Sequence, residues 1–338
     1  MMVTDVGYHG RLNLAYAVRV HQPGGPESLV YEDCNSGQPD QGEVRVNHSA
    51  VGLNFIDVYH RTGLYPIADS PFIPGLEAAG TVTELGSGVT DFTIGDRVAY
   101  AGVPIGAYCD ERILPAHRLV KLPDEIDFET GAAMMLQGMT VQYLIRRTYN
   151  VKAGDTVVFH AAAGGVGLIA CQWLSHLGVT VIGTVGSEEK ATLAKKHGCH
   201  HTVLYREENL AERVSEITDG VGVPVVYDSV GKDTYESSLN CLSPMGMFVS
   251  FGSASGPIEG VSPKDLAAKG SLYFTRPSLM TYTAKREDLL ASATELIDVV
   301  KAGVVKIKID QRYELRDAEQ AHRDLESRKT TGSTIFTL

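Results

Sequence analysis

What the chain lacks narrows it first. No C-x-x-C spacing joins its five cysteines, Cys34, Cys109, Cys171, Cys199 and Cys241, which argues against a zinc ribbon or a disulfide framework and fits a reducing compartment. No apolar run approaches the roughly 20 residues a membrane helix needs, so no membrane association is expected. The first 14 residues carry no basic start, apolar segment or cleavage site. The expectation is a cytoplasmic protein in which residues 1–14 form a polar N-terminal extension. Basic side chains are also in deficit: 30 against 41 acidic ones, a formal net charge of -11. That balance argues against a surface built to neutralise nucleic-acid phosphates. Repeats and biased tracts are missing too, so a packed globular chain is expected, and 338 residues suggest two units with separate cores.

What is present divides near residue 130. Up to about Asp127 the chain reads as short β segments between turn residues, among them Gly42-Glu-Val-Arg-Val46, Gly80-Thr-Val-Thr-Glu84 and Asp96-Arg-Val-Ala-Tyr100, the pattern of a mostly antiparallel, partly barrel-like module. Apolar residues at helical spacing then predict a connecting helix over 131–149. Strand and helix signals alternate after it. Strands are predicted at 156–160, 180–182, 202–205, 223–227, 247–251 and 271–274, with helices at 165–177, 188–197, 210–218 and 234–241. Six strands in regular alternation make a complete doubly wound parallel sheet. A long amphipathic stretch over 284–302, a strand Val305-Lys-Ile-Lys-Ile309, a helix over 317–328 and a last strand over 333–338 either extend that sheet or return to the first domain. The broken alternation favours the return.

The first strand of the series runs into Ala161-Ala-Ala-Gly-Gly-Val-Gly167, a strand, a small-residue turn and a helix start. Unpaired N–H groups and the positive end of the helix suit a pyrophosphate there, and glycines let it approach the backbone. Against a G-x-G-x-x-G fingerprint, Ala162 stands at the first position while Gly164 and Gly167 fill the others. Such a run alone also marks tight helix packing; its place after the first strand of a βαβ series is what points to a dinucleotide.

About 20 residues further on, an acid would bind the ribose 2′-hydroxyl of NADH. The stretch instead reads Gly183-Thr-Val-Gly186-Ser187. The hydroxyls of Ser187 and Tyr205 and the ammonium of Lys190 suit a 2′-phosphate, so NADPH is the expected cofactor. Ser187 as a helix N-cap and Lys190 as a solvated lysine remain the plain alternatives.

The turn His160-Ala-Ala-Ala-Gly-Gly-Val-Gly-Leu, with the segments GLNFIDVYHRTGLYP, VYDSVG, VSFGSASG and LYFTRPSL in order, resembles the quinone oxidoreductases of the medium-chain dehydrogenase superfamily from about Ala15 to Leu338. The resemblance implies an α/β protein with a GroES-like, mostly antiparallel β domain over 15–136 and 278–338, and a Rossmann domain with a six-stranded parallel sheet over 137–277. It implies that Asn54, Phe55 and Val58 touch the nicotinamide side, and that Ala163, Gly164, Gly165 and Val166 form the pyrophosphate turn. Gly186, Lys190 and Tyr205 would hold the adenosine phosphate. Ser229, Phe251, Gly252 and Ser253 match further cofactor contacts, as do Phe274, Arg276 and, beyond the Rossmann strands, Arg328. Thr140 faces the domain junction in the family, and Gln137 stands where some relatives have lysine.

Zinc alcohol dehydrogenases share the scaffold, and their G-H-E motif stands here as Gly75-Leu76-Glu77. Leu76 has no electron pair to donate, non-ligating residues surround the upstream cysteine position near Gly52, and only Cys109 occurs where a four-cysteine lobe would lie, so no zinc site is expected. Without a Lewis acid, acceptors that take hydride readily become the natural substrates, namely small quinones and activated enones. The candidate catalytic residues are Asn54 and Tyr59 as donors, Tyr65 as wall or donor, and Asp57 as an orienting group. Each has a plain alternative: packed aromatics for the tyrosines, a helix cap for Asp57. His60 and His160 are taken as structural. A 2-alkenal or enoyl reductase is the competing enzyme reading, and a low-turnover NADPH-binding crystallin-like or RNA-binding protein the competing class. The family also implies a homodimer, with strand 247–251 or the region after it at the dimer edge.

Overall fold

The computed structural model describes residues 15–338; the expected N-terminal extension lies outside the described residues. Strands β1 (Ala15–Val20) and β2 (Leu29–Cys34) form an antiparallel hairpin. The long β3 (Glu43–Leu53) follows, then helix α1 (Phe55–Thr62), β4 (Glu77–Leu85), β5 (Arg97–Ala101), β6 (Glu111–Pro115) and β7 (Val120–Lys121). β3 is the hub of this unit. Its first half pairs β6, its second half pairs the last strand of the chain, and β4 runs along its other edge with bulges at Arg45/Val46 and His48/Ala50. A strand that changes partner at a bulge turns a corner, which gives the unit its barrel-like curl. Val44, Val46, Val98, Leu114 and Phe336 fill the interior.

Helix α2 (Phe128–Tyr143) leads into the second unit. Its N-cap is Asp127, which accepts from Thr130 N at 2.6 Å, so the helix begins three residues before its periodic apolar pattern, and a π-helical turn (Leu144–Thr148) ends it. The alternation then runs β8 (Thr156–Phe159), α3 (Gly165–His176), β9 (Thr180–Val185), α4 (Glu188–Lys196), β10 (His201–Leu204), α5 (Leu210–Ile217), β11 (Val223–Asp228), α6 (Tyr235–Asn240), β12 (Leu242–Ser250), α7 (Pro263–Ala268) and β13 (Tyr273–Thr275). All six strands are parallel, in the order β10-β9-β8-β11-β12-β13, so the chain reverses direction across the sheet between β8 and β11. Both faces are buried: Val157, Phe159 and Val181 pack on one side with Trp173 of α3, and Val158, Ile182 and Phe248 on the other with Leu210 and Val214 of α5. Ligands of such sheets bind at the carboxyl ends of the strands beside that reversal.

Helices α8 (Leu279–Tyr282) and α9 (Arg286–Lys301) precede β14 (Ile309–Glu314), α10 (Ala318–Glu326) and β15 (Ser333–Thr337). β15 pairs antiparallel with β3, and β14 parallel with β15, so the last two strands enlarge the first sheet.

Two expectations are corrected. The segment 305–309 is not a strand; pairing starts only at Ile309. Val304 N and Val305 N donate to Val299 O at the end of α9, Lys306 N donates to Gln172 Oε1, and the buried Val305 packs into the second unit's core. Alternating residues there reflect anchoring of a connection, not a ladder. Of the two places expected for a dimer edge, strand 247–251 is interior, because β12 lies between β11 and β13, whereas the region after it supplies the outer strand β13.

A buried polar chain ties α10 to α1. Arg61 donates to both Glu326 carboxylate oxygens (2.9 and 2.8 Å) and to His322 Nδ1 (3.3 Å). Because arginine only donates, His322 must accept at Nδ1 and carry its proton on Nε2, 3.1 Å from Tyr108 Oη. Burial, with the Arg61 charge, pushes His322 down to about 3, and burial does the same to His48. Against a value of about 6.5 in the unfolded chain, these groups bind protons first when unfolded. Their contribution to stability is complete above that value and is lost as pH falls toward the folded one. In urea unfolding at pH 7 and pH 5, His322→Gln is expected to lose less stability on acidification than wild type, by about 1.4 kcal/mol per pH unit inside the window; equal losses would contradict a neutral buried His322.

Candidate active site

The carboxyl ends of the parallel strands and the start of α1 enclose a cavity of about 1200 Å³. At its middle, Ala161 takes a left-handed backbone (φ 54°), Gly164 caps α3 in an extended conformation, and the first intrahelical bond is Leu168 N to Gly164 O at 2.8 Å. The N–H groups of Gly165, Val166 and Gly167 therefore have no helical acceptor, an arrangement that binds anions. A Cβ at Gly167 would run into the backbone of Ala161 and Ala162, and one at Gly165 into the Gln137 amide. These two positions need glycine so that helix, strand and α2 can meet.

At one end of the cavity lie Gly186, Ser187, Lys190, Tyr205 and Arg328, together with Arg206. Ser187 also caps α4, its hydroxyl accepting from Lys190 N (3.4 Å). Lys190 Nζ donates to Arg328 O (2.9 Å) and Thr330 O (3.2 Å), and partial burial lowers its pKa. Arg328 itself sits at φ 59° in the connection before β15, where Gly332 N donates to Ala163 O. Glu208, which also lines this end, is engaged by Leu204 N (2.7 Å) and Arg213 (3.1 Å). Arg206 was missed from sequence; a second basic residue directly after a strand-end tyrosine was the available signal.

At the other end are Asn54, Phe55, Tyr59, Tyr65, Gln137 and Thr140. Asn54 is the N-cap of α1. Its backbone N–H donates to Asp57 Oδ2 (2.9 Å), its side-chain Nδ2 to Glu77 Oε2 (2.7 Å), and its Oδ1 accepts from Gln137 Nε2 (3.1 Å). Tyr59 and Tyr65 meet edge to face at 5.1 Å between centroids. Ser253 N donates to Tyr59 Oη (2.8 Å) and Arg276 Nη2 to Tyr65 Oη (2.7 Å), so each phenol keeps its own proton unspent. Burial pushes Tyr59 up to about 12. Ser229, Phe251, Gly252 and Arg276 line the wall between the two ends.

Four predicted site residues lie off the cavity lining. Asp57 is fully buried behind α1, where it completes the capping box with Asn54 and accepts from Tyr108 Oη (3.0 Å); the helix-cap alternative describes it. Val58 packs on the inner face of α1. Ser253 reaches the site through its backbone N–H and through its hydroxyl, 3.3 Å from Arg276. Phe274 stacks on Phe248 at 5.2 Å, on the far side of the sheet. His160 borders the cavity but is 1% exposed and bonded to Thr184 and Ser238 hydroxyls; burial lowers its pKa, in keeping with a structural role.

Two buried acids stand beneath this end. Burial raises Asp57 to about 7 and Glu77 to about 8, Glu77 against the pull of its bonds from Asn54 and Leu136 N (2.7 Å). Raised values mean these carboxyls stabilise the fold fully below their unfolded values of about 4 and lose that contribution progressively as pH rises from there to the folded values of about 7 and 8. Glu77 was passed over as a remnant motif; an acid between Leu76 and Ala78 in a buried strand must be partnered, and that was its signal.

A doubly wound parallel sheet joined to an antiparallel barrel-like unit, with a phosphate-type turn at the strand reversal, is the architecture of a medium-chain dehydrogenase. Residues 40–124 match the alcohol dehydrogenase GroES-like domain and 165–295 the zinc-binding dehydrogenase family. The chain is 55% identical over 313 residues to a quinone oxidoreductase of Pseudomonas aeruginosa, covering 93% of this chain and 96% of that protein. It is 47% identical to a 2-haloacrylate reductase of a Burkholderia species, covering 96% and 99%. The crystal structure of Escherichia coli quinone oxidoreductase complexed with NADPH superposes with a TM-score of 0.94 at 48% identity, over 96% of this chain and all of that one. The chain belongs to the quinone oxidoreductase family of the medium-chain dehydrogenases.

Asp57→Ala leaves Asn54 N and Tyr108 Oη without their acceptor and is expected to destabilise the protein by about 2 kcal/mol in urea unfolding. Unchanged stability with lost turnover would instead place Asp57 in the chemistry.

Proposed function

We propose that the protein transfers hydride from NADPH to quinones in the cleft between its two sheet units, without zinc. One observation carries the reading: a single cavity joins a cation- and hydroxyl-lined end, with no acid at the end of β9, to an end where phenol and amide donors converge. The residues fit the dinucleotide. The free N–H groups of Gly165, Val166 and Gly167 suit its pyrophosphate, and Ser187, Lys190, Tyr205, Arg206 and Arg328 its 2′-phosphate. Phe55 and Thr140 would flank the nicotinamide, with Ser229, Phe251 and Gly252 along the wall. In domain terms, 15–136 and 278–338 form the catalytic unit and 137–277 the dinucleotide unit, supported by the pairing of β15 with β3.

When bound, the cofactor supplies the hydride. The chain supplies position and electrostatics. Tyr59 and Tyr65 each accept a hydrogen bond from the dinucleotide unit and so direct their own protons toward the acceptor oxygen, where negative charge develops. With its pKa near 12, Tyr59 acts as a hydrogen-bond donor, and water delivers the final proton. Zinc-independence rests on the donor set: Leu76 is fully buried and has no lone pair, while Glu77 is engaged by Asn54 and Leu136. We assign the protein to the cytoplasm as a homodimer, with the outer strand β13 and its exposed Tyr273 available for pairing.

The similarity to a 2-haloacrylate reductase favours one second reading, in which the same hydride goes to the carbon of an activated alkene. Fluorescence titration with NADPH and NADH is expected to show NADPH preference, reduced about tenfold in Lys190→Ala with NADH binding little changed; equal affinity for both cofactors in wild type would overturn the phosphate assignment. In a panel of 1,4-benzoquinone, 9,10-phenanthrenequinone and 2-alkenals, quinone turnover is expected. Alkene turnover alone would select the second reading.

A further inference from the structure

Below the nicotinamide end, four side chains from four different elements form an unbroken hydrogen-bonded row. Glu77 (β4) accepts from Asn54 Nδ2, Asn54 (before α1) accepts from Gln137 Nε2, and Gln137 (α2) accepts from the Ser333 hydroxyl (β15) at 2.9 Å. Ser333 Oγ also stands 3.3 Å from Ala133 O. An ionised carboxylate only accepts, so it forces Asn54 to turn its NH2 toward it, and every later amide follows.

A protonated carboxyl reverses the row with every bond inside it replaced, and when Asn54 turns its side-chain oxygen away from the capping box, Asp57 N keeps its bond to Asn54 O (3.0 Å). Glu77 then donates to Asn54 Oδ1, Asn54 Nδ2 donates to Gln137 Oε1, Gln137 Nε2 donates to Ser333 Oγ, and the serine hydroxyl turns to Ala133 O. The row thus has two satisfied directions, and one proton on one buried acid selects between them. Asn54 and Gln137 both line the cavity, and each keeps one amide N–H with no protein partner among the described residues. Reversal moves those two donors relative to whatever occupies the cavity.

We propose that Glu77 is a positioning residue whose protonation state sets the direction of the Asn54–Gln137–Ser333 amide row and hence the donor pattern offered to the hydride acceptor. The surroundings isolate that proton. Asp57 of the α1 helix and Tyr100 of β5 are the titratable groups near Glu77. Strand β3 presents Gly52, and α2 presents the backbone of Ala132 and Leu136. Burial, reinforced by Asp57, places the titration at about 8, within reach of ordinary conditions. The acceptor oxygen gains negative charge as hydride arrives, and an ionised carboxylate two hydrogen bonds below Gln137 opposes that charge, so the protonated direction is the faster one.

This inference rests on the proposed hydride transfer for its rate readout only. With NADPH saturating, wild-type kcat on quinone is expected to fall about threefold or more as pH rises through about 8. Glu77→Gln, whose amide accepts from Leu136 N and donates to Asn54 Oδ1, is expected to hold the low-pH rate throughout, with KM for NADPH within about twofold of wild type. A step that survives in Glu77→Gln, or a flat wild-type profile, overturns the proposal. Wild type alone gives a second measure that needs no variant to fold and no turnover: the side-chain 15N resonances of Asn54 and Gln137 shift together with a midpoint near that pH. Resonances that do not move overturn the row as a switch. Moving resonances without quinone turnover leave the row standing and reject the proposed activity instead.

Discussion

Asn54 spends its backbone and both ends of its side chain on three different parts of the molecule. Its N–H starts α1 through Asp57, its Nδ2 reaches Glu77 on β4, and its Oδ1 takes the Gln137 donor from α2. Helix α1 carries Tyr59 and Arg61, and Tyr65 follows it, so their placement depends on this one cap. An N-cap bond contributes about 1 kcal/mol in an exposed helix. Here the same bond is buried, where leaving a polar group unpaired costs more, and the constraint is correspondingly rigid.

From that anchored helix the two sheet units are joined at the reaction end by Tyr59 to Ser253 and Tyr65 to Arg276, and at the phosphate end by Gly332 to Ala163 and Lys190 to the carbonyls of Arg328 and Thr330. Each join uses a group that also borders the cavity. The orientation of each phenol therefore depends on a contact from the other unit. The deeper layer, Arg61 with His322 and Glu326, and Tyr108 with Asp57, keeps α10 and α1 in register without touching the cavity.

The sheet was legible because its physics is local. Val157, Val158, Phe159 and Ile182 read as short apolar runs bounded by glycine, and a doubly buried strand requires that. The turn Ala161 to Gly167 was legible for the same reason. Failures came where a tertiary contact overrides a local pattern: Val305 alternates like a strand residue but anchors the end of α9, and Met247 to Phe251 reads like any other strand because sheet order is not written in one strand. At the site, the chosen residues that line the cavity were those whose side chains face a loop or helix start. Asp57, Val58 and Phe274 sit on those same elements but face inward, and one turn of helix or one strand residue decides the difference. Glu77 and Gln137 were hardest to see, because a buried polar row is defined only when four distant elements meet.

In the proposed reaction, NADPH bound along this cavity gives its hydride directly to a quinone at the Asn54, Tyr59 and Tyr65 end. Rapid mixing of the preformed protein–NADPH complex with 1,4-benzoquinone, using NADPH and its C4-deuterated form, tests it most directly. A single-turnover loss of reduced nicotinamide absorbance that needs the quinone and slows with deuterium is expected. Tight NADPH binding that no quinone discharges would contradict it.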